Sequence, residues 1–150
     1  MLAANVKTDT PELLYHALLE CWNRRDARGF AALFEREGRC IGFDGSEMHG
    51  PQEIESMLGG IFADHETASY VAKVRDVRLL SREIAMLRAV VSMVPHGQRD
   101  INPDVNAVQV LVTMRSEGAW RISLLQNTPA QYHGRPEAVE ALTAELRALL

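Results

Sequence analysis

Cysteine is scarce: only Cys21 and Cys40 occur in 150 residues, both in apolar surroundings and with no C-x-x-C spacing. That excludes a disulfide framework and a thiolate zinc site as organising devices. It fits two buried thiols in a reducing compartment, so a cytoplasmic location is expected. No apolar run approaches the ~20 residues that span a bilayer. The N-terminal stretch MLAANVKTDTPE also lacks the apolar segment of a secretory leader. A membrane partner is therefore not expected. Basic charge is in short supply too, with 16 Lys and Arg against 20 Asp and Glu and a formal net charge of -4. Proteins that hold nucleic acid electrostatically carry the opposite excess, so no nucleic-acid partner is expected.

Several catalytic signatures are missing as well. His16 falls on the first predicted helix, and His49, His65, His96 and His133 fall in loops or at element ends. None completes H-E-x-x-H, since His65-Glu66 runs into Thr67-Ala68-Ser69, and no metal site is expected. No G-x-G-x-x-G follows a strand and no G-x-S-x-G elbow occurs, which leaves neither a dinucleotide fingerprint nor a serine nucleophile. Cys21 reads as helix packing. Arg24, Arg25 and Arg28 read as a solvated surface cluster. The expectation is a protein without metal or organic cofactor.

What remains is an ordinary globular composition, 47% hydrophobic and 24% charged, enough for one core-bearing domain over residues 1–150. Thr10-Pro11 marks a helix start, a capping hydroxyl followed by proline at the first helical position. Leu14, Ala17, Leu18, Cys21 and Trp22 then recur at helical spacing. Asp26 is a second N-cap, and Phe30, Leu33 and Phe34 form the stripe of a short helix that should end at Gly38. Arg39 to Phe43 reads as a short strand running into the turn Asp44-Gly45-Ser46-Glu47. Pro51 opens a third helix bearing Ile54, Met57, Leu58 and Ile61, with Gly59-Gly60 weakening its end.

After Thr67 the period changes to that of strands. Ser69 to Leu80 and Glu83 to Val94 form one hairpin, and Asn106 to Met114 with Ala119 to Asn127 form another. Pro136 to Leu150 reads as a last helix. This order predicts an α+β domain, with N-terminal helices packed on a strongly curved antiparallel sheet and a short C-terminal helix. Along Ile84 to Val94 both faces are apolar, so both should be covered. Helices account for one face, and a homodimer partner is expected on the outer face. The other reading is that a loop or the terminal helix covers it.

These elements carry a resemblance. Trp22-Asn23-Arg24-Arg25-Asp26 with Phe30-Ala31-Ala32-Leu33-Phe34, Gly50 with Ile54, and Val77-Arg78-Leu79-Leu80 are similar to the nuclear transport factor 2-like superfamily. So are Gln109 with Leu111-Val112, then Gly118, Trp120-Arg121-Ile122 and Asn127-Thr128. The fold is the cone shared by ketosteroid isomerase, scytalone dehydratase and the polyketide cyclase SnoaL. Within it the chain resembles the bacterial SgcJ/EcaC group. The resemblance implies acid–base chemistry of isomerase, hydratase or cyclase type on a hydrophobic, polyketide-like molecule, in secondary metabolism and without a cofactor. The isomerase's tyrosine and second acid fall near Leu18 and Leu111, both apolar, so ketosteroid isomerisation itself is not expected.

The site candidates follow. Asp44 lies near the aspartate base of isomerase-like members. In an apolar cone its pKa would be raised toward a useful range, whereas before Gly45 it also reads as an ordinary turn residue. His49 is the one histidine kept as an acid–base group at the pocket rim. Gln109 interrupts an apolar strand and needs a partner, supplied by a ligand or by neighbouring backbone. Gln126 and Asn127 point to opposite faces, so at most one of them enters the cavity. Asn127 reads better as a structural amide at the strand's end. Tyr70 is expected to place its hydroxyl at the pocket mouth, or to sit as an amphipathic sheet-edge residue. The sequence thus leads to a hydrophobic small-molecule ligand, handled either by an acid–base enzyme or by a non-catalytic ligand-binding or dimeric scaffold protein.

Overall fold

The structure, a computed structural model, describes residues 6–150. The first five residues, part of the stretch read as lacking a leader, lie outside the described residues. A short 3-10 turn, Val6–Thr8, precedes helix α1, Pro11–Asn23. Thr10 caps α1 as expected, its Oγ1 accepting from the Leu13 N–H at 3.0 Å. Asp26 caps α2, Ala27–Ala32, by accepting from the Gly29 N–H at 2.8 Å.

Helix α2 stops six residues before Gly38. Phe34 opens strand β1, Phe34–Ile41, because residue 33 onward is claimed by the sheet: the Leu33 carbonyl accepts from the Ile122 N–H at 2.9 Å. Phe34 still packs on Phe30, with ring centroids 5.6 Å apart, so the apolar stripe survives the change of backbone. Gly38 lies inside β1, where a Cβ would come 2.7 Å from the Ile122 carbonyl oxygen. Its smallness serves a close approach of two strands rather than a helix end.

Strand β2, Glu47–His49, returns against β1 and leads into α3, Gly50–Asp64. The long hairpin is β3, Ser69–Leu79, with β4, Ile84–Val94. The second is β5, Ala107–Ser116, with β6, Ala119–Pro129, and α4, Pro136–Arg147, follows. The sheet order is β2-β1-β6-β5-β4-β3. All neighbours are antiparallel except β1 and β6, which run parallel, so the expected antiparallel sheet is mixed at one joint. Register shifts between Val74 and Asp76, between Val112 and Thr113, and between Phe34 and Arg39 bend the strands into a curved open sheet.

The concave face holds α1, α2 and α3 over Leu87, Leu111, Ile122 and Leu125, which form the main core. The convex face carries α4, whose Leu142 and Leu146 pack with Val90 and Ile101. Arg75 and Lys73 on β3 pair with Glu145, and Arg147 pairs with Asp100, fixing the helix at its edges. Both faces of β4 are apolar because two cores meet there. Helix α4 covers only part of the convex side. Toward the far ends of the strands, Ile84, Met86, Val110, Val112 and Leu124 are only half-buried and Met114 is exposed.

Candidate ligand-binding site

The concave sheet and its helices do not close on each other fully. Between them lies a cavity of about 350 Å³, within the usual range for small-molecule pockets. Its walls are Leu18, Leu19 and Trp22 from α1, Met57, Leu58 and Ile61 from α3, Met93 from β4 and Leu125 from β6. Helical spacing on α1 and α3 and strand alternation on the sheet turn these side chains inward. Phe43, Met57 and Ile61 line the cavity and are also exposed at 41%, 40% and 36%, so they form an apolar rim open to solvent. Among the described residues, no Lys, Arg or His lines it.

The floor is polar and ordered. Tyr15, fully buried on α1, donates its hydroxyl to Gln109 Oε1 at 2.6 Å. The Gln109 amide donates to Asn127 Oδ1 at 2.8 Å, and Asn127 Nδ2 donates to the Ile41 carbonyl at 2.9 Å. Gln109 is 1% exposed, and a buried amide is tolerated because this chain of bonds satisfies it. The chain ties α1, β5, β6 and β1 together across more than ninety residues of sequence.

Every ionisable group at the floor is held neutral. Burial raises the Tyr15 hydroxyl far above the ordinary phenol range, with Tyr70 nearby adding to the effect. Burial pushes Tyr70 up to about 12, Cys40 beside it contributes, and an interaction with the Gln109 side chain opposes the rise. Burial likewise pushes the Cys40 thiol up to about 12.

Three residues from the first motif hold this arrangement. Asn23 clamps the Tyr70 backbone in both directions, accepting from its N–H at 2.8 Å and donating to its carbonyl at 3.2 Å. Trp22 donates to the Ala68 carbonyl at 2.9 Å and packs on the Tyr70 ring at 5.4 Å. Arg25 is not a free surface cation. At φ 61 it turns back and donates to the Phe62 carbonyl and, at 2.5 Å, to that of His65, closing the end of α3.

Tyr15, Asn23 and Arg25 were not among the sequence candidates. Trp22-Asn23 was visible as a motif, but its partner, the start of β3, lies 47 residues away. Tyr15 carried no signal beyond sitting among apolar helix positions.

The sequence candidates separate in space. Gln109, Asn127 and Tyr70 come together at the floor. The Tyr70 hydroxyl interacts with Gln109 rather than standing at the mouth, because β3 turns the residue inward opposite Met93. Asn127 fills the structural role expected of it toward Ile41 and lines the cavity as well.

The alternation that points Leu125 and Asn127 inward turns Gln126 to the exposed convex face, away from the cavity. His49 is displaced in the same way: Met48 enters the cavity, and His49 faces an outer polar groove with Glu35 and Glu37.

Asp44 lies at the cavity mouth, but the expected raised pKa is corrected. The carboxylate is exposed and accepts from the Ser46 N–H at 2.9 Å and the Ser46 hydroxyl at 3.0 Å. Those two bonds, the backbone one first, hold it below the usual carboxylate range. Desolvation opposes them only weakly, because water still reaches the group. Among the described residues, no three His, Cys, Asp or Glu side chains gather as a metal-binding group.

The SnoaL-like domain profile matches residues 12–127, most of the chain. No curated protein sequence matches it. A cystatin-like domain of unknown function from Nostoc punctiforme is similar in structure, with a TM-score of 0.74 at 23% identity over 85% of this chain and 79% of that one. A ketosteroid isomerase-like protein from Erwinia carotovora aligns with a TM-score of 0.64 at 17% identity, covering 85% of this chain and 99% of that one. A candidate scytalone dehydratase from Novosphingobium aromaticivorans aligns with a TM-score of 0.66 at 15% identity over 80% and 81% of the two chains. At these identities the likeness is one of fold.

Proposed function

The chain belongs to the SnoaL-like domain family, and on that premise we propose that it binds an uncharged, hydrophobic small molecule in the cone cavity. One observation carries the reading: the cavity walls are apolar, and the polar groups at its floor are neutral and mutually bonded. Such a site gains affinity from burying apolar ligand surface and uses a few polar groups for orientation. It offers little to a charged ligand, whose desolvation no lining cation would offset.

Acid–base chemistry on the bound molecule is the second reading, drawn from the isomerase-like and dehydratase-type neighbours. Asp44 is the lining residue that would move a proton, from its place at the mouth, with Gln109 orienting a ligand oxygen. A carboxylate whose pKa is lowered is a weak base, which is why binding without proton transfer is the stronger reading. Nile red, neutral and hydrophobic, should bind at one site per chain, more weakly in Met57→Trp, where the exposed rim is narrowed. Asp44→Asn should bind it like the wild type. Binding at several sites, indifferent to Met57→Trp, would sink the proposal.

The partner proposed for the convex sheet face is a second copy of this chain, seated on Met86, Val110, Val112 and Leu124 beyond the reach of α4. The support is that these apolar side chains share one face and are only half-buried within the protomer. Trp120-Arg121-Ile122 with Asn127-Thr128 supports placement in the SgcJ/EcaC group, and two free buried cysteines suit the cytoplasm. No helix among the described residues is long and apolar enough to cross a membrane.

A further inference from the structure

Three protons at the cavity floor are committed to one chain of bonds. The Tyr15 O–H goes to Gln109 Oε1, one Gln109 N–H to Asn127 Oδ1, and one Asn127 N–H to the Ile41 carbonyl. The Tyr70 hydroxyl, at the cavity lining beside Gln109, takes part in none of these bonds. Its proton is therefore left over for a ligand. The second N–H groups of Gln109 and Asn127 are the other unspent donors, and all three residues line the cavity.

The ring that carries that spare proton is held in place. Asn23 grips the Tyr70 backbone from both sides, and Trp22 packs on the ring. A donor held in this way costs little further ordering when a ligand accepts from it. The charges point to the same kind of ligand. Among the described residues no Lys, Arg or His lines the cavity to balance an anion, and Asp44 at the mouth repels one. Asp44 is the only carboxylate among the described lining residues, and it lies at the mouth, so none at the floor balances a buried cation.

We propose that Tyr70 sets the ligand class by donating its hydroxyl proton to the carbonyl-type oxygen of an uncharged, otherwise apolar molecule, with the free Asn127 N–H beside it. This rests on the reading of the cavity as a hydrophobic binding site. Tyr70 is a specificity-determining residue, and the Tyr15–Gln109–Asn127 chain and Asn23 are its positioning residues. A hydrocarbon of the same shape leaves the Tyr70 proton without a partner, and a carboxylate enters at the cost of its hydration.

The test uses 6-propionyl-2-dimethylaminonaphthalene, a neutral ketone whose emission moves to the red when its carbonyl accepts a hydrogen bond. Its 6-propyl analogue lacks the acceptor. The ratio of the two affinities should fall roughly three- to tenfold from wild type to Tyr70→Phe, the size of one neutral hydrogen bond. Binding of the propyl compound should stay unchanged, and the bound ketone's emission should move to the blue in the variant. An unchanged ratio overturns the role of Tyr70 while leaving the binding cavity intact. So does wild-type emission that is already as blue as in a hydrocarbon solvent, a readout that does not depend on the variant folding. Failure of both compounds to bind the wild type overturns the cavity reading itself, and this inference with it.

Discussion

Gln109 is the joint of the buried polar chain, so its removal should cost more than removal of either end, and the costs should not add. In Gln109→Leu the Tyr15 hydroxyl and Asn127 Oδ1 lose bonds of 2.6 and 2.8 Å. A buried polar group left without a partner costs about 1–3 kcal/mol. Tyr15 is fully buried, whereas Asn127 is half-buried and can turn toward solvent. A net loss of about 2–3 kcal/mol is expected for Gln109→Leu, after leucine returns some apolar burial. Tyr15→Phe strands only Gln109 Oε1 and should cost about 1–2 kcal/mol. In the double variant the Tyr15 hydroxyl is gone and cannot be stranded, so the pair should cost no more than Gln109→Leu alone. That leaves a coupling of about 1–2 kcal/mol, well above the additivity error of about 0.3–0.5 kcal/mol. Urea unfolding of the four proteins measures it, and thermal midpoints should follow at about 2–4 °C per kcal/mol for a chain of this length. Costs that add within error would refute the idea that one connected hydrogen-bond chain organises the floor.

Other perturbations probe the frame around the cavity. Gly59 and Gly60 sit inside α3 with nothing within 4 Å of an added Cβ, so Gly59→Ala and Gly60→Ala should each stabilise by about 0.5–1 kcal/mol in urea unfolding. Hydrogen bonds from Arg75 hold Glu145 near pKa 2, below its ordinary value of about 4.3. A carboxylate depressed on folding stabilises above its unfolded pKa and loses that contribution as pH falls through the folded one. Glu145→Gln should therefore destabilise at pH 7, and the gap from wild type should shrink below about pH 4 and close near pH 2, measured by urea unfolding across that range. On the convex face, Val112→Glu should convert a sedimenting dimer to a folded monomer. A wild type that sediments as a monomer at tens of micromolar would remove the proposed partner.

The fold was legible wherever its cause was local. Thr10 and Asp26 announce their helices because each cap satisfies an N–H three residues away. The long hairpins show in β-branched alternation for the same reason. The start of β1 did not, because Phe34 belongs equally well to a helical stripe, and only its parallel pairing with Ile122 decides the backbone. The site was half legible. Gln109 stood out as an amide in an apolar strand, and Asn127 as a polar strand end. Whether Asp44 is desolvated depends on the depth of the turn that carries it, which no spacing records. Tyr15 and Asn23 act through partners 94 and 47 residues away, so their roles exist only after folding.

The central claim is that a neutral, apolar cavity takes an uncharged hydrophobic ligand. Calorimetric titration of the wild type with 2-acetylnaphthalene and with 2-naphthoate at pH 7 tests it most directly. The account predicts that the ketone binds one per chain with a negative heat-capacity change, and that the carboxylate binds at least about tenfold more weakly. Naphthoate binding as tightly as the ketone would contradict it.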